Sequence, residues 1–211
     1  MAPTATDVAA AVRRADPAFA AVTRRHGPPP SHRPIRVDRR FAMLATAILH
    51  QQLAGAAARA IHARVCALVG DPMTPEAVLR ADETALAACG VSGPKRASLL
   101  DLAVKSLDGT IDFASMARRS DDLVVETLCE VRGVGVWTAQ MFCLNALGRR
   151  DVWPVGDLGV RMGWSQLHGD GEPIDARDLV PLGEPFRPHR SAVAWYCWRA
   201  VEDARAERSS G

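Results

Sequence analysis

Residues 128–161 constrain this chain more than any other stretch. Gly133 and Gly135 bracket Val134, and an amphipathic run (Val136, Ala139, Cys143, Ala146, Leu147) starts directly behind them. Two glycines one residue apart between helical patterns predict a tight hairpin, because glycine permits positive φ or close backbone approach to another molecule. A helix that starts right after such a turn presents backbone N–H groups at the positive end of its dipole, which is an anion site. A nucleic-acid phosphate suits it. For a bare Gly-x-Gly, an ordinary helix–helix turn with no ligand is the better reading. One helix and a short loop further on, Asp157 precedes a new helical pattern.

No alternating run of convincing strand length occurs, so periodicity predicts an all-α protein of about nine to eleven helices. Residues 1–15 are Ala-rich, a short helix or a loose tail. Asp16 and Pro17 suit the cap and first position of a helix reaching Arg25. Gly27-Pro28-Pro29-Pro30-Ser31 breaks regular structure, and residues 32–40 carry four arginines. From Asp38, the residues Phe41, Leu44, Ala45, Ile48, Leu49 and Gln52 share one helical face. Alanines extend that helix to about Val69, where Asp71-Pro72 stops it. Helices are expected after Thr74-Pro75, over Thr84–Cys89, from Gly93-Pro94 to about Ser106, and near Asp112–Ser115. Asp121-Asp122 precedes the helix that feeds the hairpin, and Gly148 closes the helix that leaves it. Beyond it, helices are expected over Leu158–Leu167, near Asp175–Val180 and from about His189 to Glu207, with Ser209-Ser210-Gly211 fraying.

With 211 residues there is room for one or two domains and a sizeable core. No apolar run approaches the ~18 residues of a membrane span. Met1–Ala11 lacks the basic-then-apolar pattern of a signal peptide, so the expected location is cytoplasmic, with no membrane partner. Five scattered cysteines without a CxxC fit a reducing compartment and mostly buried thiols. His50, His62, His168 and His189 lack metal-ligand spacing, which leaves no zinc site. A net charge of +2 is too small to argue for nucleic acid. Apart from Lys95 and Lys105 the basic residues are arginines, which suit phosphate but also follow from a GC-rich genome.

Taken together, Leu128-x-x-Val131-x-Gly133-Val134-Gly135-x-x-Thr138-Ala139 and the downstream Asp157 resemble the helix-hairpin-helix/Gly-Pro-Asp motif of base-excision DNA glycosylases. Within that superfamily the chain is most similar to the 3-methyladenine DNA glycosylase II branch. The resemblance extends to Ile48-Leu49-His50-Gln51-Gln52-Leu53, to Gly90-Val91-Ser92-x-x-Lys95-Arg96-Ala97, and to Phe186-Arg187-Pro188-His189-Arg190-Ser191 followed by Trp198. It implies two helical lobes with a cleft between them. Residues 1–40 would form a leader packing on the second lobe, residues 41–150 a lobe ending in the hairpin (128–148), and residues 151–211 the returning lobe. The implied partner is double-stranded DNA with damaged bases, bound by a monomer. The implied reaction is excision of alkylated purines of the 3-methyladenine and 7-methylguanine type.

The resemblance makes Asp157 the catalytic carboxylate. N-glycosidic cleavage passes through an oxocarbenium-like state, and a fixed negative charge beside the sugar stabilises it by ~2.7–4 kcal/mol in comparable sites. The same group can orient the attacking water. Read alone, Asp157 is better explained as a cap for the helix at Leu158, and Val155-Gly156-Asp157 departs from the Val-Asp or Pro-Asp of many relatives. Trp137 occupies the position of the nucleophilic lysine of bifunctional relatives. An indole forms no Schiff base, so the implied enzyme is monofunctional and leaves an abasic site.

Trp137 and Trp198 match family positions lining the base pocket, where an electron-rich ring attracts a cationic purine by ~0.5–2 kcal/mol once the base is rotated out of the duplex. Met141 and Gln51 complete that expected pocket; core packing or a plain surface is the alternative for each. Gly133, Val134, Gly135, Val136 and Thr138 are expected on phosphate. Gln52 and Leu53 would border the gap left by the flipped nucleotide, and Arg161 would add a contact. The backbone carbonyls of Cys129, Val131 and Val134 would hold a structural Na+ or K+. No other cofactor is implied, and with only Cys197 near the C-terminus, no iron–sulfur cluster. Trp153, Trp164 and Trp195 are expected in the core, with the cleft mouth as the alternative for Trp153, and Lys95 at the surface or facing phosphate. A non-catalytic module that binds or senses damaged DNA through the same hairpin is the competing function.

Overall fold

The computed structural model describes residues 3–31, 33–169 and 171–210. In chain order the helices are α1 (Ala5–Ala15), α2 (Ala20–His26), α3 (Val37–His50), α4 (Gly55–Val69), α5 (Pro75–Arg80) and α6 (Glu83–Ala88). They continue with α7 (Gly93–Leu107), α8 (Asp121–Cys129), α9 (Val136–Asn145), α10 (Leu158–His168), α11 (Ala176–Leu182) and α12 (Arg190–Ser210). Short 3₁₀ turns cover Pro17–Phe19, Ser115–Arg118 and Glu184–Phe186, and no strand occurs among the described residues. The protein is all-α, with twelve helices among the described residues where periodicity suggested nine to eleven.

The extra helices come from breaks that periodicity does not register. The helix expected from Asp38 to about Val69 is two, α3 and α4. In a continued helix the Leu49 carbonyl would accept from Leu53, but the Lys95 ammonium takes it instead at 2.7 Å. Leu53 turns its N–H to the His50 carbonyl, and Gln52 adopts φ 55° in the left-handed region. Gln51 and Gln52 therefore lie in a connection rather than on a helix face. Lys95, expected on the surface or facing phosphate, is committed to capping α3, and burial lowers its pKa. The helix expected at Asp16 begins as a 3₁₀ turn because the Asp16 carboxylate accepts from the Ala18 N–H at 2.9 Å. Ser120 caps α8, so Asp121 and Asp122 occupy its first turn. Helix α12 runs through Ser209, where fraying was expected; Gly211 lies outside the described residues.

The chain forms two compact units, Met1–His32 with Gly148–Gly211, and Arg33–Leu147. The first unit has an aromatic core. Phe19 meets Trp164 and Phe186 edge-on at 5.8 and 5.5 Å, and Trp153 meets Trp164 at 6.0 Å. Each such buried ring contributes about 1.5–3 kcal/mol. Trp153 is anchored by its indole N–H to the Leu179 carbonyl at 3.0 Å. Trp195 is only half-buried, with the Arg199 guanidinium 5.5 Å from its ring, so it sits at the edge of the expected core. The buried Tyr196 hydroxyl donates to the Gly27 carbonyl at 2.8 Å, and burial pushes its pKa up to about 12. Helix α10 lies against α12 at Gly163, where a side chain would overlap the Cys197 carbonyl.

In the second unit α7 lies under α3, α5 and the α8–α9 hairpin, around a core that includes Leu44, Ile48, Leu99, Leu102, Leu128 and Phe142. All five cysteines are free thiols. Cys143 and Cys197 are buried, whereas Cys66, Cys89 and Cys129 are half-buried, fewer than expected.

Candidate nucleic-acid interface

The hairpin turn and both its helices, α8 and α9, lie within the Arg33–Leu147 unit. After α8 the chain turns through Val131 N–H to Leu128 C=O (3.1 Å) and Val134 N–H to Val131 C=O (3.0 Å). Gly133 has φ +75°, and a Cβ there would sit 2.5 Å from Ser98 Oγ, so both conformation and space require glycine. Helix α9 begins at once, with Gly135 as its N-cap and no side chain capping it. Beside that end Val136 and Trp137 are 57% and 47% exposed. Uncapped first-turn amides and the helix dipole together can take an anion.

Helix α7 supports the hairpin from beneath. Asp101 Oδ2 accepts from the Arg132 N–H at 2.7 Å and from Lys105 Nζ at 2.9 Å, and Lys105 also donates to the Glu130 carbonyl at 2.6 Å. Burial alone would raise the Asp101 pKa, but these two donors hold it below the usual carboxylate range. Periodicity assigned Asp101 and Lys105 no role. Their i, i+4 spacing was the available signal.

A cavity of about 530 Å³ opens beside the hairpin, lined by Ala47, His50, Gln51, Gln52, Gly133, Gly135, Trp137, Thr138 and Met141. Gln51 spans it, its Nε2 donating to the Gly133 carbonyl at 3.0 Å. The structure thus brings together Gln51, Gln52, Trp137, Thr138 and Met141 from the expected site, and adds His50 and Ala47. Leu53 is partly exposed and not part of this lining.

Asp157 and Trp198 belong to the other unit. A turn closed by the Asp157 N–H on the Pro154 carbonyl (2.9 Å) delivers Asp157 to the N-cap of α10. Its Oδ1 accepts from the Val160 N–H at 2.8 Å and from the Trp198 indole N–H at 2.9 Å. The residue is only 9% exposed, so the carboxylate is held in one orientation in a largely dry setting. Gly159 makes room for this arrangement: a Cβ there would lie 2.9 Å from the Trp198 ring and 3.0 Å from Asp157 Oδ1. Burial, with the Asp157 carboxylate adding to it, raises the pKa of the neighbouring Cys197 thiol, which stays protonated and unreactive. Asp157 Oδ1 thus serves both the α10 cap and the Trp198 indole. Arg161, expected on DNA, donates through Nε to the Ile174 carbonyl within its own unit.

The family model for HhH-GPD superfamily base excision DNA repair proteins matches residues 45–179, which hold the hairpin, the cavity and Asp157. The chain belongs to this superfamily. DNA-3-methyladenine glycosylase 1 of Schizosaccharomyces pombe is 33% identical over 162 residues, 75% of this chain and 71% of that one. Among solved structures, the DNA-3-methyladenine glycosidase of Bacillus halodurans has a TM-score of 0.83 at 30% identity, covering 95% of this chain and 91% of that one. The S. pombe 3-methyladenine DNA glycosylase in complex with abasic DNA has a TM-score of 0.81 at 28% identity, covering 93% and 97%. Superfamily membership therefore rests on more than the glycine bend: the matched span includes both the hairpin and the capping aspartate.

Proposed function

We propose that this protein is a monofunctional DNA glycosylase that removes alkylated purines of the 3-methyladenine and 7-methylguanine type from double-stranded DNA in base excision repair. The observation that carries this reading is the pinned Asp157 carboxylate in a chain whose hairpin has Trp137 in place of a lysine. The relatives named above as 3-methyladenine glycosylases support the substrate class.

In this account the α9 N-terminus holds a phosphate of the damaged strand, while the flipped base enters the cavity walled by Trp137, Met141 and Gln51. Gln52, whose left-handed conformation projects it from the connection, and Leu53 face the gap left in the duplex. An alkylated purine already carries the positive charge that makes it a good leaving group, so a general acid is dispensable. The Trp137 face attracts that cation. As the C1′–N bond lengthens, positive charge moves to the sugar and Asp157 stabilises it, then orients water onto C1′. The base departs as a neutral purine with the bonding electrons, and water forms the new C1′–O bond and gives up its proton to solvent.

Incubating the protein with methylated duplex DNA and quantifying free bases tests this reading. Release of 3-methyladenine and 7-methylguanine is expected. DNA binding without release would instead leave a hairpin module with no chemistry. Borohydride is expected to trap no covalent protein–DNA adduct, because neither lysine lies in the hairpin. A trapped species would contradict the monofunctional mechanism.

The hairpin carbonyls also fit a monovalent cation. Those of Cys129, Val131 and Val134 are hard oxygen donors next to the C-terminal, negative end of α8, and Val131 keeps a second lone pair beside its bond to the Val134 N–H. Such an ion would neutralise part of the phosphate charge. Replacing K+ and Na+ by tetramethylammonium at constant ionic strength is expected to weaken duplex binding; unchanged affinity would remove the ion from the account.

A further inference from the structure

We propose that His50 is a specificity-determining residue of the base cavity: as a neutral imidazole it admits a cationic alkylated purine, and once protonated it excludes one. The inference rests on the glycosylase reading above and deepens it. His50 shares the cavity wall with Trp137, Met141 and Gln51, and among the described residues no carboxylate lines that cavity.

The ionisable groups around His50 are all basic or neutral. From α4, His62 meets it edge-on with ring centroids 5.8 Å apart, and Arg59 faces it. From α7 comes Lys95, whose ammonium sits on the carbonyl of the preceding residue, Leu49. The α9 and hairpin residues of the wall, Trp137, Thr138 and Met141 with the two glycines, carry no charge. His62 is itself engaged, with Nε2 3.1 Å from Thr46 Oγ1 and 3.6 Å from the Cys66 sulfur.

Burial, then the charges of His62, Lys95 and Arg59, hold the His50 pKa below its ordinary value. Near neutral pH the ring is uncharged and offers one donor and one acceptor to a base edge. Acidification adds a positive charge to a wall against which a positive base must stack. That repulsion opposes the cation–π attraction of Trp137. A role in gripping the DNA backbone has the opposite sign, because an imidazolium facing phosphate strengthens binding as pH falls.

The test measures kcat/KM for release of 7-methylguanine from methylated duplex between pH 5.5 and 8.5, with affinity for undamaged duplex measured in parallel. For the wild type, release is expected to fall by up to about tenfold per pH unit below the His50 pKa, the limit for one proton, without loss of duplex affinity. His50→Gln is expected to lose that acid limb. His50→Lys, permanently charged, is expected to release the base at least about tenfold more slowly than His50→Gln at pH 7.5 while retaining duplex affinity. An acid limb that persists in His50→Gln, or equal rates for His50→Lys and His50→Gln, overturns the proposal. So does duplex affinity that rises on acidification only when His50 is present, since that places the imidazole on phosphate. Wild-type release with any of these results leaves the glycosylase reading standing, whereas no release at any pH removes both.

Discussion

Asp157→Asn is expected to slow single-turnover base release by about 10²–10³, the loss typical of removing one preorganised electrostatic group, while duplex affinity and fold stay intact. The substitution is informative because asparagine preserves nearly all of the local structure. Its side-chain oxygen still accepts from the Val160 N–H, since asparagine caps helices about as well as aspartate. It still accepts from the Trp198 indole, and it adds no volume beside Gly159. What disappears is the negative charge. Losing that charge at a helix N-terminus costs about 0.3–1 kcal/mol of stability, too little to unfold the protein. Rapid-quench measurement of released base, with duplex binding measured on the same preparations, separates chemistry from binding. A wild-type rate in the variant would take the carboxylate out of the mechanism and leave Asp157 as a helix cap alone.

Gly163→Ala is expected to destabilise the protein by about 3 kcal/mol, the upper end for an overpacked site. The added Cβ would lie 2.0 Å from the Cys197 carbonyl oxygen and 2.4 Å from its carbon. Both are backbone atoms in the middle of α12, so no rotamer change relieves the clash and α10 must move away. The gain in helix propensity from glycine to alanine, about 1 kcal/mol, offsets only part of this. The displacement also acts on the site, because α10 begins at Asp157 and α12 carries Trp198. Gly156→Ala is the control, since a Cβ there meets nothing within 4 Å. Urea unfolding midpoints for the two variants check the expectation, and a Gly163→Ala midpoint equal to that of Gly156→Ala contradicts it.

The helices, the hairpin and the capping aspartate were legible in the sequence because each has a local signature. Gly133-Val134-Gly135 announces its turn, and an aspartate ahead of a helical period announces a cap. The break between α3 and α4 was not legible, because its cause is a long-range bond from Lys95 to the Leu49 carbonyl, 46 positions apart in the chain. For the same reason Lys95 resembled a surface residue. The pairing of Trp198 with Asp157 joins residues 41 positions apart and has no local mark in the sequence. Asp101 and Lys105 drew no attention in the sequence, because their use as a seat for the hairpin depends on how α7 lies beneath it. His50 stood inside a recognised block beside Gln51, but a histidine at a helix end has no sequence mark that separates a cavity wall from plain surface.

The central claim is that the DNA held at the hairpin presents its sugar to Asp157. A crystal structure of the protein with a duplex containing a cationic pyrrolidine abasic mimic measures this directly. The account predicts an Asp157 carboxylate oxygen within about 4 Å of the ring nitrogen, an ion-pair distance, with the adjacent phosphate on the α9 N-terminus. A mimic bound at the hairpin with Asp157 out of ion-pair reach and its oxygens serving only the cap and the Trp198 indole would contradict it.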